Sequence, residues 1–218
     1  MVASETQRKI LDEAERLFSE RHYATVTLRE ITAAAGVNIA SVNYHFGSKN
    51  ILLREVFRRR ALDLNRERLT LLDRAEREAA PEPPELEAVL FALAAPPIRW
   101  SQEAGGPRAR FMRFLRLCRV DATEEIKTLI SREIGHLQRF LVPLERILPG
   151  SSRADLCWSL HHSLGVIHEA TAELDRLARL SDGACHTDDG EEIIDRVVRF
   201  CAAGFRAANH GQGACTNA

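Results

Sequence analysis

The sequence predicts an all-α protein: an N-terminal three-helix helix-turn-helix domain followed by a larger C-terminal helical domain. Three observations carry this. Apolar residues recur at helical spacing, with no sustained two-residue alternation and no Asn-Gly or Asp-Gly turn joining β-rich runs. All eight Pro lie at or beyond Pro81, and the first 80 residues hold only two Gly, Gly36 and Gly47. Later breaks at Pro81 to Pro84, Gly105 to Pro107, Pro149 to Ser152 and Ser181 to Gly190 cut the remainder into helix-length pieces.

The first helix is predicted over Glu5 to Arg21, where Ile10, Ala14, Leu17 and Phe18 form one apolar stripe. Thr27 and Glu30 then have capping-box spacing, and Val26 and Ile31 are placed as its hydrophobic staple. That second helix stops at Ala35-Gly36, since Gly36 can take the left-handed conformation. A third helix starts after Asn38, a good N-cap, and ends near Phe46-Gly47. Ser48 caps a fourth, long helix from Lys49 to about Glu78. The second and third helices are each too short to stand alone. Braced by the first, with Val37 and Val42 turned toward Ile31 and Leu28, they match a helix-turn-helix.

In such a motif the second helix enters the major groove with its N-terminal half on base edges. That nominates Asn38, Ile39, Ala40, Ser41 and Asn43. Asn43 has the chemistry for a bidentate contact to adenine, and Ile39 or Ala40 for a thymine methyl. Thr27, Arg29, Tyr44, His45 and Lys49 are placed for phosphates. Purely structural roles stand beside these: Asn38 and Thr27 as caps, Asn43 as a solvated side chain, His45 as interhelix packing.

The runs ILDEAERLFSERHYATVTLREITAAAGV (10–37) and NIASVNYHFGSKNILLREVF (38–57) resemble the DNA-binding domain of TetR-family transcriptional regulators. The resemblance implies a homodimer without catalysis, in which a C-terminal helical domain binds a small effector and dimerises. Tyr44 and Lys49 match the family's phosphate contacts, whereas Ile39 and Asn43 replace its more common Lys and Tyr. The form AGVNIASVNYHFGSK is also similar to a fatty-acid-responsive sub-branch.

Beyond Pro84, Leu86, Val89, Leu90, Phe91 and Leu93 form an apolar segment interrupted at Pro96-Pro97. Phe111, Phe114, Leu115 and Cys118 make a second stripe. A third segment runs from Thr123 to Leu148, through Ile126, Leu129, Ile130, Ile134, Leu137, Leu141 and Leu144, with Pro143 near its end. Prolines within helical patterns kink or split them and leave room between helices. The expected apolar pocket is walled by Leu90, Phe91, Trp100, Phe111, Phe114, Leu115, Leu137 and Trp158, with plain core packing as the alternative. Arg99, Arg108, Arg110 and Arg113 suit an anionic effector or simply a solvated basic face. The last two long helices are predicted over Ala154 to Leu180 and Glu191 to Ala208. By the resemblance they form a four-helix bundle with their twin, partly through Leu160, Leu164, Ile167, Thr171, Ile194, Val197, Val198, Cys201 and Phe205, with the chain's own core as the alternative place for these residues and a mixture of the two expected. Cys157, His161 and His168 have spacing that could hold a metal. Structural histidines are the plainer account, and no metal or cofactor is assigned.

The remaining composition narrows the class. With 45% apolar and 28% charged residues the 218-residue chain reads as globular. It contains no apolar run of the roughly 18–20 residues a membrane helix needs, and no signal-peptide core. Five scattered Cys without CxxC spacing read as reduced thiols, so the expected compartment is the cytoplasm. The net charge of −1 hides a basic end: residues 1–60 carry a net +3 and residues 61–218 a net −4. The organisation read from sequence is a DNA-binding domain over 1–50, a connecting helix over 51–80, an effector and dimerisation domain over 81–208, and a frayed tail over 209–218. The expected function is a ligand-controlled repressor, a homodimer on palindromic operator DNA released by a small apolar effector such as a fatty acid or acyl-CoA. The alternative is an activator, or a regulator with another ligand or none. An enzyme with an accessory helix-turn-helix lacks any nucleophile motif or phosphate loop.

Overall fold

The computed structural model describes residues 4–120, 124, 127–128 and 135–210. Among these residues all regular structure is helical: α1 (Glu5–Glu20), α2 (Leu28–Ala35), α3 (Ile39–Phe46), α4 (Lys49–Ala79), α5 (Leu86–Gln102), α6 (Gly106–Val120), α7 (Gly135–Ile147), α8 (Arg153–Ala172), α9 (Leu174–Leu180) and α10 (Gly190–His210), with a 3-10 turn over Tyr23–Thr25. The chain forms two compact units, Met1–Asp63 with Glu103–Glu133 and Leu64–Gln102 with Ile134–Ala218. Helix α4 therefore contributes its first half to one unit and its second half to the other.

In the first unit α1 begins with a complete capping box. Ser4 Oγ accepts from the Gln7 amide at 3.2 Å, and Gln7 Oε1 accepts from the Ser4 amide at 2.9 Å. Its apolar stripe, Ile10, Ala14, Leu17 and Phe18, is buried with Val26, Ile31, Val42, Phe46, Leu52, Leu53, Val56 and Phe57. Helix α6 supplies Phe111 and Phe114 to this same core, with ring centroids 6.0 Å from Phe57 and 6.4 Å from Phe18. The apolar stripe of 111–118 is thus real, and it packs into the core of the first unit. Two ion pairs fasten α4 to α1: Arg59 to Asp12 at 2.7 Å, and Arg60 to the buried Glu15 at 2.9 Å. Removing Arg60 leaves a carboxylate in the core without its counter-charge, the costly way to break such a pair.

The second unit departs from the sequence expectation at its prolines. The segment expected to break at Pro96-Pro97 is one helix, α5, with both prolines inside it. At Pro97 a neighbouring side chain replaces the missing amide. Pro97 has no N–H for the carbonyl of Leu93, four residues back. Arg68 of α4 donates its Nε–H to that carbonyl at 3.0 Å. A side chain from a neighbouring helix thus supplies the donor the backbone lacks. Pro143 likewise lies inside α7. The single helix expected over Ala154 to Leu180 is instead divided at Glu173, which leaves α8 and α9. In the last turn of α8, Thr171 turns its hydroxyl back to the His168 carbonyl at 2.9 Å. An Arg176–Glu169 ion pair spans the break. Of the helix expected over Thr123 to Leu148, Thr123, Ile126, Leu129, Ile130 and Ile134 lie outside the described residues, as does most of the tail after Asn209.

The core of this unit joins Leu72 of α4, Leu86, Leu90, Leu93 and Ile98 of α5, Phe140 and Leu144 of α7, Leu156, Leu160 and Ile167 of α8, and Ile194, Val198, Ala202 and Phe205 of α10. Arg99 and Glu191 tie α5 to α10 through two hydrogen bonds of 2.7 and 2.9 Å. Arg206 to Glu87 at 2.7 Å repeats the tie at the other end.

Candidate nucleic-acid interface

The site is built by three local devices. Thr27 Oγ1 accepts from the Glu30 amide at 3.2 Å while Glu30 Oε2 accepts from the Thr27 amide at 2.7 Å, which closes the capping box at the start of α2. Gly36 ends α2 at φ 66°, a left-handed geometry that costs glycine little, and the chain reverses into α3. Asn38 Oδ1 then accepts from the Ala40 amide at 3.0 Å and caps α3. The Asn38 oxygen is therefore engaged on the cap, while its NH₂ makes no hydrogen bond among the described residues.

Helix α3 buries Val42 and Phe46 and turns its other face out. Ile39 is 40% exposed and Tyr44 86% exposed, both large for open surface; Asn38, Ala40 and Asn43 are exposed beside them, with Ser41 and His45 half-buried. No acidic residue lies on α3. This is the face the sequence nominates for base edges. The phosphate candidates divide in two. Arg29 is exposed and makes no ion pair among the described residues. Thr27 and Lys49 are engaged within the fold: Thr27 with Glu30, and Lys49 with the Tyr23 carbonyl and, 4.0 Å above its centroid, the Tyr23 ring. The Tyr23 hydroxyl also donates to Asn50 Oδ1, so this 3-10 turn locks the start of α4. Only its aromatic side chain signals that role in the sequence.

Electrostatics sharpen the face. Glu5, Asp12, Glu13, Glu15, Glu20 and Glu30 each pair with a base: Lys9, Arg59, Arg16, Arg60, Arg16 and Arg21 respectively. The Arg21 guanidinium and the Thr27 amide together hold the Glu30 carboxyl down to about 2. Arg8, Arg29, Arg54 and Arg58 are exposed and stand outside these pairs. The small net positive charge is thus concentrated in a few side chains.

The effector-domain candidates are distributed over both units. Phe111, Phe114 and Leu115 belong to the first; Leu90, Phe91, Trp100, Leu137 and Trp158 belong to the second. Leu90 and Trp100 are buried, Phe91 and Leu137 pack partly buried against the core, and Trp158 stands 62% exposed. Trp100 donates its indole N–H to Glu67 Oε2 at 2.9 Å. Of the four arginines proposed for an anion, Arg99 pairs with Glu191 and lies over the Phe91 ring, and Arg108 pairs with Glu103 at 3.3 Å. Arg113 is exposed, and Arg110 has its Nε buried without a partner among the described residues.

Leu160, Ile167, Ile194, Val197, Val198, Cys201 and Phe205, expected at a dimer interface, are buried already within one chain. Leu164 and Thr171 are half-buried. The helices carry a broader apolar surface than a single core-facing stripe, and the residues they leave outside are different ones. Trp158 and the 68% exposed Phe200 flank an open groove between α8 and α10, lined also by His162, Val166 and Gly204. Cys157 and His161 are exposed and His168 half-buried; among the described residues no group of three His, Cys, Asp or Glu is placed to hold a metal. Sequence reasoning also passed over Arg68, which sits between Leu64 and Leu72 on the buried stripe of α4.

No helix among the described residues is long and apolar enough to cross a membrane. Residues 10–56 match the family model described as bacterial regulatory proteins, tetR family, and residues 91–204 match the tetracyclin repressor-like C-terminal domain. The chain is 42% identical over 55 residues to the HTH-type transcriptional regulator AcrR of Shigella flexneri, a stretch that spans 25% of this chain and 26% of that one. Similar folds include the fatty acid degradation regulator FadR from Bacillus halodurans (15% identity, TM-score 0.66, covering 94% and 99% of the two chains). A second is a putative transcriptional regulator from Saccharomonospora viridis in complex with choline (18% identity, TM-score 0.60, covering 92% and 97%). A capped helix-turn-helix with an acid-free outer face, joined to a helical C-terminal domain of matching type, places the chain in the TetR family of DNA-binding transcriptional regulators, which are not enzymes.

Proposed function

We propose that the protein is a cytoplasmic, ligand-responsive repressor that binds a palindromic operator as a homodimer and is released by a small apolar effector. The observation that carries the DNA reading is the outer face of α3: Ile39, Ala40, Asn43 and Tyr44 exposed on a helix whose N-terminus is free of acid. Asn43 reads adenine and Ile39 a thymine methyl, while Arg29 and Tyr44 bind phosphates. Two such helices about one turn apart, roughly 34–36 Å, require a second copy. The exposed Trp158 and Phe200 beside the α8–α10 groove support that copy docking there, because large exposed aromatics on one face mark an interaction surface. Effector and operator then oppose one another through a coupling of about 1–3 kcal/mol. A fatty acid or acyl-CoA effector rests on the sub-branch resemblance of residues 35–49, and the similarity of fold to a fatty acid degradation regulator accords with it.

Selection from randomised duplexes tests the reading. It should recover a palindrome whose half-site centres lie about 10–10.5 base pairs apart or a multiple of that. Asn43→Ala should cost about 1–3 kcal/mol on that site and relax preference at one position in each half-site. Arg29→Gln should weaken all sequences alike and flatten the salt dependence. Recovery of no palindrome, or affinity independent of sequence, would refute a specific repressor in favour of architectural binding.

A further inference from the structure

Arg68 occupies a position that its helix otherwise gives to leucine. Leu64 and Leu72, one turn to either side, are buried, and Arg68 itself is only 8% exposed. The acids on the same half of α4 are committed elsewhere. Glu67 accepts from Trp100, Asp73 and Glu76 hold Arg139, and Glu78 holds Arg74. Arg68 therefore has no acidic partner among the described residues, and burial alone pushes its pKa down to about 10, so it stays a cation at neutral pH.

One of its five N–H groups is used, the Nε–H on the Leu93 carbonyl. The two Nη atoms make no hydrogen bond among the described residues, yet neither is among the sealed, unsatisfied polar atoms there. Each Nη therefore keeps some accessible surface on a side chain that is only 8% exposed. Filling a bare carbonyl does not demand this residue, because any neutral donor of similar reach satisfies it. What a guanidinium adds is a planar pair of donors matched to a carboxylate.

Resting on the effector-controlled reading above, we propose that Arg68 is the anion-binding residue of the effector domain, and that it takes the carboxylate of an otherwise apolar acid. The Leu93 carbonyl holds the guanidinium plane from its Nε edge and leaves Nη1 and Nη2 for the two carboxylate oxygens. The charge buried at a cost in the free protein is neutralised when the acid binds, so affinity for the acid and the buried cation are two sides of one balance.

Isothermal titration of the full chain with straight-chain acids from octanoate to hexadecanoate, each beside its matched 1-alcohol below micelle formation, tests this. Wild type should prefer each bound acid over its alcohol by about ten- to a hundredfold. Arg68→Gln, which keeps a donor for Leu93, should erase that preference by weakening the acids far more than the alcohols. Arg68→Lys, which keeps the charge without the fork, should retain part of it. The wild-type comparison of acid with alcohol needs no variant, so a folding defect in one does not block the test. Equal binding of acid and alcohol, no binding of any acid, or an Arg68→Gln protein that still prefers the acid would overturn the proposal and leave Arg68 as a partner for Leu93 alone. Operator binding without effector is the separate control. Its loss in wild type would defeat the repressor reading, whereas its retention beside a missing acid preference would defeat only the role of Arg68.

Discussion

Thr27 and Glu30 show how two side chains can fix where a helix begins. Each satisfies the other's backbone amide, and Arg21 adds a 2.7 Å ion pair from the end of α1. Thr27→Ala should destabilise the protein by about 1 kcal/mol in chemical denaturation, the usual worth of such a cap. Glu30 ionises well below its ordinary value of 4.5, at about 2. A depressed carboxylate stabilises the fold fully above its unfolded pKa and loses that contribution as pH falls through the folded one. The contribution of Glu30 should therefore fade between about pH 4.5 and 2. In a carboxyl NMR titration, Arg21→Gln should move the Glu30 midpoint upward; an unmoved midpoint would show that the Thr27 bonds suffice. The capping box, the Gly36 turn and the Asn38 cap are all legible in sequence, because each is decided by residues within four positions of one another. Lys49 was not legible in the same way. Its anchor, Tyr23, is 26 positions away, and spacing alone shows only a cation at a helix start.

At the scale of the element, α5 is where sequence pattern misleads and the reason is physical. Two adjacent prolines argue for a break because they remove backbone donors, and that argument holds for a helix on its own. At Pro97 it is offset because Arg68 reaches the orphaned carbonyl of Leu93 from another helix, a contact with no trace in the local pattern. The coupling is testable. Arg68→Met should be strongly destabilising alone. Pro97→Ala, which returns an amide to residue 97, should recover about 1–3 kcal/mol more in the Arg68→Met background than in wild type. Additive effects in that cycle would mean that the Leu93 carbonyl is not the shared partner. The division of 154–180 at Glu173 was hidden because no Gly or Pro marks it.

At the scale of the molecule, burial redraws the surface that a second copy would meet. Helical periodicity finds the apolar positions of α8 and α10 but cannot divide them between the chain's own core and a partner. Leu160, Ile194 and Phe205 go to the core, while Trp158 and Phe200 are left outside. If the second copy docks on this face, Phe200→Glu should yield a folded monomer by sedimentation at micromolar concentration, with operator affinity lost and helix content kept. A dimer of unchanged affinity would move the interface elsewhere. Charge behaves similarly on this scale. Nearly every acid of the first 60 residues is paired, so the net charge of −1 understates what a phosphate backbone would meet.

The Pro96–Pro97 pair also bears on how the protein is assembled. A segment with two interior prolines has little tendency to become helical by itself, since each removes a link from the ladder that propagates a helix. Residues 86–102 are then expected to acquire their shape late, when α4 is already formed and Arg68 is in position to close the gap at Leu93. On a growing chain this order comes without effort, because α4 is complete before the prolines are made. On that expectation an earlier helix acts as the template for a later one in the second unit.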